Sequence, residues 1–254
     1  MTSMIRIGTA GWTIPRTYRD LFPPEGSQLQ RYAARLSCVE INSSFHRPHR
    51  LATYQRWAES VPPDFSFAAK LPKEITHRRR LVDVGEPLRA FAGQTAGLGA
   101  KLRVVLVQIP PSLAFEPDAV GPFLDGLATL FPVQLVLEPR HPSWFTAAVD
   151  ALLGEHRVAR VAADPAVVSE AAVPGGWPGF AYFRFHGTPQ VYRSSYEPAA
   201  IADQAAAVRR AAAASEIWVV YDNTTLGAAT GNALALAGLL QPAASGKRAS
   251  AAST

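Results

Sequence analysis

Eight short β-like runs recur along this chain, at residues 5–8, 38–42, 65–70, 102–109, 134–138, 157–163, 180–186 and 216–222. Several are Val-rich and apolar throughout, as strands covered on both faces are. Helix-compatible stretches separate them, at 27–36, 51–60, 86–98, 117–130, 145–154, 198–214 and 231–240. The sixth spacer, around 167–172, is short and ends in Pro174-Gly175-Gly176, so that unit is expected to be irregular. Strands alternating with helices specify a parallel sheet, and eight such units specify closure into a (β/α)8 TIM barrel. The length of 254 residues falls where such barrels fall, at about 250. An open doubly wound sheet would carry a Gly-rich phosphate turn after its first strand, and Gly8-Thr9-Ala10-Gly11-Trp12 does not match one. No linker divides the chain, so residues 1–242 are expected to form a single barrel domain. The small polar end, 243–254 (AASGKRASAAST), reads as a disordered tail.

Composition narrows the function classes. No apolar run approaches the roughly 18 residues of a membrane span. The start, MTSMIRIGTAGW, lacks the apolar core of a secretory signal, and Cys38 is the only cysteine, so a reducing cytoplasm is the expected compartment. The net charge of +5 raises the question of nucleic acid. The densest basic run is His77-Arg78-Arg79-Arg80, and Lys247-Arg248 belongs to the tail; no basic stripe interleaves with aromatics. Nucleic-acid binding through a 76–80 loop is therefore carried as the alternative, not the leading reading.

The strands share a second feature: they start apolar and run into polar side chains. The endings are Glu40 and Asn42, Lys70, Gln108, Glu138 and Arg140, Asp164, Arg184 and His186, and Asp222 with Asn223. Residues two apart on a strand share a side, so Glu40 with Asn42, Glu138 with Arg140, and Arg184 with His186 each project together. Such endings converge on the C-terminal mouth of a barrel, where barrel enzymes hold their sites. The charges nearly balance, so a network of ions satisfying one another at the barrel top is the structural alternative.

The segments IGTAGW, CVEINSSFHR, FAAKLPKEITH, LVQIPPSL, LEPRHPSWF, FRFHG and YDNTTLGAATGNAL, in this order, resemble the successive motifs of the YecE-like family, known as domain of unknown function 72. The resemblance runs from Ile5 to about Leu240. It implies a βα barrel with its motif residues around the C-terminal opening, and no assigned reaction. The chain departs from the family pattern at His46, where Tyr is common, at Pro139, where Phe is usual, and at Asp222-Asn223, which replaces a frequent Asn-Asn pair.

The leading expectation is a metal-independent enzyme, of hydrolase or lyase type, acting on a small anionic molecule that is phosphorylated or sugar-like. Glu40 and Glu138 are the paired carboxylates for proton transfer, with His186 assisting. Arg140, Arg184 and Lys70 are expected to clamp the anion, and Asn42, Gln108, Asp164, Asp222 and Asn223 to orient it. Trp12, Phe45 and Trp144 are expected to wall the cavity, with Trp144 placed over the mouth by the turn at Pro142-Ser143. No cofactor is expected. A divalent ion on His186, Glu138, Asp164 and Asp222 is the weaker alternative, since Arg140 and Arg184 would crowd it and no HExxH or clustered His/Cys spacing is present. Cys38 reads as a small core residue below the mouth. A ligand sensor with the same pocket and no chemistry is a further alternative.

Overall fold

The structure is a computed structural model that describes residues 4–214 and 216–240. The expected tail, with Lys247 and Arg248, lies outside these residues. The chain forms one (β/α)8 barrel. Seven of its staves are β1 (Met4–Ala10), β2 (Cys38–Ile41), β3 (Ser66–Lys70), β4 (Leu102–Gln108), β5 (Gln134–Glu138), β9 (Phe180–Phe185) and β10 (Glu216–Tyr221). Adjacent staves pair in parallel in the order β9-β10-β1-β2-β3-β4-β5.

The eighth stave is broken, which the uninterrupted run 157–163 did not foretell. β6 (Val158–Arg160) pairs with β5, whereas β7 (Ala162–Asp164) pairs with β9. Val161 lies between them, and its N–H donates to the Leu137 carbonyl at 2.9 Å. One continuous segment therefore reaches both neighbours and closes the ring. The irregular sixth unit follows, a 3-10 turn at Ser169–Ala172 and a two-residue strand β8 (Gly175–Gly176) antiparallel to β6.

Helices α3 (Leu51–Glu59), α4 (Gly85–Thr95), α5 (Pro117–Leu130), α6 (Ala147–Glu155), α7 (Pro198–Arg210) and α8 (Ala228–Leu240) follow their strands, as does the shorter α1 (Gln28–Ala33) after β1. Their apolar faces meet the outward residues of the strands in one cluster that includes Val39, Phe67, Val105, Leu137, Phe183 and Val219. The inward residues form a second cluster filling the lumen: Cys38, Ala68, Val104, Leu106, Val136, Tyr182, Trp218 and Val220 among them. This strict alternation is what carries the polar strand ends inward at the next step up the barrel. Gly8 is required where β1 meets β2, because a Cβ there would lie 2.1 Å from the Cys38 carbonyl oxygen. Among the described residues no helix is long and apolar enough to cross a membrane.

Candidate functional site

Directly above the lumen cluster, the next inward side chains are charged. Arg184, near the end of β9, is completely buried and makes four hydrogen bonds to three carboxylates. Its Nε and Nη2 grip Glu40 at 3.0 and 2.7 Å, Nη1 reaches Glu138 at 2.5 Å, and Nη2 also reaches Asp222 at 2.9 Å. Glu40 is equally enclosed, and the Tyr182 hydroxyl donates to the same oxygen as Arg184 Nε, at 2.9 Å. Bidentate, charge-assisted contacts of this kind are short and directional.

Burial by itself would raise the Glu138 carboxyl, but Arg184, Arg140 and His186 outweigh it and hold Glu138 well below the ordinary carboxylate range. Asp222 is also opposed by burial and is held low by Arg184 and His186. Burial would strip the Arg184 proton, yet the three carboxylates hold its guanidinium charged more firmly than usual.

Toward the opening this layer continues through Arg140 and His186. Arg140 Nε donates to Glu138 at 2.7 Å. The buried His186 ring stands between two carboxylates, with Nδ1 3.1 Å from Asp222 and Nε2 3.0 Å from Glu138, while Arg140 Nη2 approaches Nε2 to 2.9 Å. When Nδ1–H donates to Asp222, Nε2 accepts from Arg140. With a proton on Nε2 as well, Glu138 accepts it and Arg140 must turn aside. The ring thus bridges the buried Glu138 and the cavity-lining Asp222.

Above lies a cavity of about 640 Å³ at the C-terminal ends of the strands, lined by Asn42, Phe45, His46, Lys70, Lys73, His77, Gln108, Arg140, Tyr192, Asp222, Thr224 and Thr225, with Pro111 and Val167. Among the described residues, Asp222 is the one carboxylate on this wall, against Lys70, Lys73 and Arg140. The short helix α2 (Ser43–His46) sets one side. Its Ser44 hydroxyl donates to the Ile41 and Lys70 carbonyls at 2.8 and 2.7 Å, pinning it across β2 and β3 and bringing the Phe45 ring within 4.4 Å of Lys70 Nζ. Asn42 donates from Nδ2 to Asp222 at 3.2 Å, and its buried Oδ1 has no partner among the described residues. Lys70 is 7% exposed, and burial, followed by the Arg184 charge, draws its ammonium down to about 8 despite the pull of the carboxylates.

The expected site residues therefore divide into three groups. Asn42, Phe45, Lys70, Gln108, Arg140 and Asp222 line the cavity, and Glu40, Glu138, Arg184 and His186 lie beneath it. The remaining four lie elsewhere. Asp164 is held by the Thr188 hydroxyl at 2.8 Å and by Tyr196. Asn223 donates to the Ser194 carbonyl and to Asn232, both at 2.8 Å, tying down the loop after His186; there Gly187, at φ +94°, permits a close approach that a side chain would block. Trp12 packs edge-on against Trp57. Trp144 does not cover the mouth as the turn had suggested: it is fully buried in the outer core, its indole donating to the Leu113 carbonyl at 2.9 Å. The apolar indole gains more from that core than from a wet rim.

Two placements change the expected roles. Arg184 is not a clamp for a ligand, because its donors are directed at three carboxylates and it does not reach the cavity wall. Glu40, with both oxygens occupied and no exposure, has no path to a substrate proton. Among the described residues, no group of three or more His, Cys, Asp or Glu is arranged to hold a metal, and the place where carboxylates converge is filled by the Arg184 guanidinium.

Lys73, His77, Tyr192, Thr224 and Thr225 are cavity residues that the strand ends did not reveal, since they lie in the loops beyond. For Lys73 and His77 the signal was their position in FAAKLPKEITH, immediately after Lys70. A π-helical turn at Glu74–Arg78 places His77 edge-on to the Phe45 ring; such turns are frequent at functional sites. In the same turn Arg78 and Arg79 both pair with Glu74 at 3.1 Å, and Arg80 bonds to Ser112.

A family model described as "Protein of unknown function DUF72" matches residues 6–253. Among curated proteins, the UPF0759 protein YecE of Escherichia coli, in strains K12 and O157:H7, is 29% identical over 143 residues, 56% of this chain. That match spans half the length of those relatives. Among solved structures, a DUF72 family protein from Enterococcus faecalis V583 superposes with a TM-score of 0.79 at 23% identity, over 94% of this chain and 96% of that one. One from Thermotoga maritima MSB8 does so with a TM-score of 0.77 at 24% identity, over 94% and 100%. At these identities the superpositions establish the barrel and nothing of its chemistry.

Proposed function

The chain belongs to the DUF72 family, and from that premise we propose that its barrel mouth binds a small anionic molecule, phosphorylated or carboxylated, and carries out acid-base chemistry on it without a metal. The observation that carries this reading is the segregation of charge by depth. Three carboxylates gather around Arg184 in the buried layer, while the cavity wall above presents Lys70, Lys73 and Arg140, flanked by His46 and His77, against Asp222 alone. A recess of this size with convergent cations suits a metabolite-sized anion. Asp222 touches both the cavity and His186, so a proton taken from a ligand has a route to Glu138. A lyase or hydrolase fits this arrangement, and a reducing cytoplasm fits the single cysteine. The nucleic-acid reading is weaker, because Arg78 and Arg79 share the carboxylate of Glu74.

Thermal shift and calorimetry with inorganic phosphate and a panel of small phosphorylated and carboxylated metabolites, at low ionic strength, test the proposal. Ligands of this class should stabilise the protein, and Lys73→Ala should weaken the best of them about tenfold, the equivalent of roughly 1.4 kcal/mol. Indifference to every anion, or equal binding by Lys73→Ala and Arg140→Gln variants, would remove the anion site. A stabilising ligand that is never consumed would leave the sensor reading in place of the enzyme.

A further inference from the structure

The unpartnered amine at the floor of this cavity has chemistry of its own. The Lys70 side chain is largely buried and lines the cavity, and among the described residues its Nζ makes no hydrogen bond or ion pair; it lies over the face of the Phe45 ring, and the nearby carboxylates act on it only through their longer-range charge. A lysine kept only to balance the buried carboxylates would be expected to touch one of them, as Arg184 and Arg140 do. Of the other described lysines, Lys101 is tied to the Ala58 and Val61 carbonyls at 2.6 and 2.7 Å, while Lys73, also without a polar partner, is only half-buried at the start of the π-helical turn. A second group on the same wall is also idle, the buried Asn42 Oδ1, an acceptor with nothing to accept.

Building on the anion-site reading, we propose that Lys70 is a covalent nucleophile whose amine condenses with the carbonyl carbon of a small anionic aldehyde or ketone to form an imine. The lone pair on neutral Nζ attacks the carbonyl carbon, the C–N bond forms, and the C=O π electrons move to oxygen. Asp222 accepts a proton from nitrogen and returns it to that oxygen, giving a carbinolamine; loss of the hydroxyl with the second nitrogen hydrogen releases one water. Both hydrogens of the amine leave in that water, and no oxidant or reductant is consumed. Lys73 and Arg140 hold the anionic end. Buried lysines become nucleophiles in this way because desolvation favours the neutral amine, and the lowered value of Lys70 agrees. An imine withdraws electrons from the adjoining carbon, which makes carbon–carbon or carbon–oxygen bond cleavage the class of reaction to seek.

The chain has only four lysines, 70, 73, 101 and 247, which makes the test direct. The full-length protein is treated with glyoxylate, the smallest anionic aldehyde, and sodium cyanoborohydride, then digested and mapped by mass spectrometry. Carboxymethylation of Lys70 should outpace that of Lys73 by about tenfold at neutral pH, climb as pH rises through about 8, and be slowed by pyruvate. Labelling of Lys73 with Lys70 untouched, or equal labelling of the two, would overturn the proposal. Phosphate binding is measured on the same preparation. Intact binding with an unreactive Lys70 defeats the imine alone, whereas absence of any anion binding defeats the site reading beneath it. Because the labelling is read in the unaltered chain, it does not depend on whether a Lys70 variant folds.

Discussion

The buried layer around Arg184 and the cavity wall above it are built from the same residue types a few ångströms apart, yet they are put to opposite uses. In the layer, each charge is matched: Glu40 and Arg184 have no exposure, and every carboxylate oxygen named there has a donor. On the wall, Lys70 and the Asn42 oxygen have no hydrogen-bond partner among the described residues. Saturation makes a rigid platform whose buried members do not grip a ligand; spare capacity is what a binding wall requires. Of the two alternatives the polar strand ends raised, a self-satisfied network and a pocket, the molecule contains both, stacked.

The comparison is broken most readily at its centre. Arg184→Met should destabilise the protein by about 3–5 kcal/mol, since three buried carboxylates lose their common cation. Denaturant titration measures it, with Arg184→Lys as the milder variant; a midpoint unchanged in both would mean the layer is not the platform described.

The opposite sign is expected at Lys70. Its folded value of about 8 lies below the ordinary 10.5, so the folded chain binds fewer protons than the unfolded one between these values, and stability rises with pH across that window. Below pH 8 the buried ammonium costs the fold about 3 kcal/mol. Lys70→Met should therefore raise stability by up to that amount at pH 7, with the gain fading as pH rises from about 8 to 10.5. A variant that is destabilised at pH 7, or whose gain is flat with pH, would place Lys70 in the saturated layer. The smallest stability effect is expected for Lys73→Ala, within about 0.5 kcal/mol, even though the same change weakens anion binding. A large loss of stability would make Lys73 structural and erase the distinction between wall and layer.

Much of this architecture is legible in the sequence. Period-two alternation put Glu40, Glu138, Arg184 and Asp222 inside the barrel, and the same alternation placed Cys38 in the lumen. The break at Val161 was not legible, because a strand that changes partners has the same apolar pattern as one that does not. Trp144 was misplaced because a turn sequence fixes where the chain reverses and leaves open which face the ring then takes. Lys73, His77 and Tyr192 were missed because loops carry no periodicity to read.

By itself, the sequence determined the barrel, its closure from eight strand units, and the level at which polar side chains replace apolar ones, because pleat and helical period are local properties of the chain. Only the tertiary structure decided which of those polar groups face one another and which face the cavity. That depends on the stagger of strands remote in the chain, which delivers Glu40, Glu138 and Asp222 to one guanidinium and leaves Lys70 beside a ring.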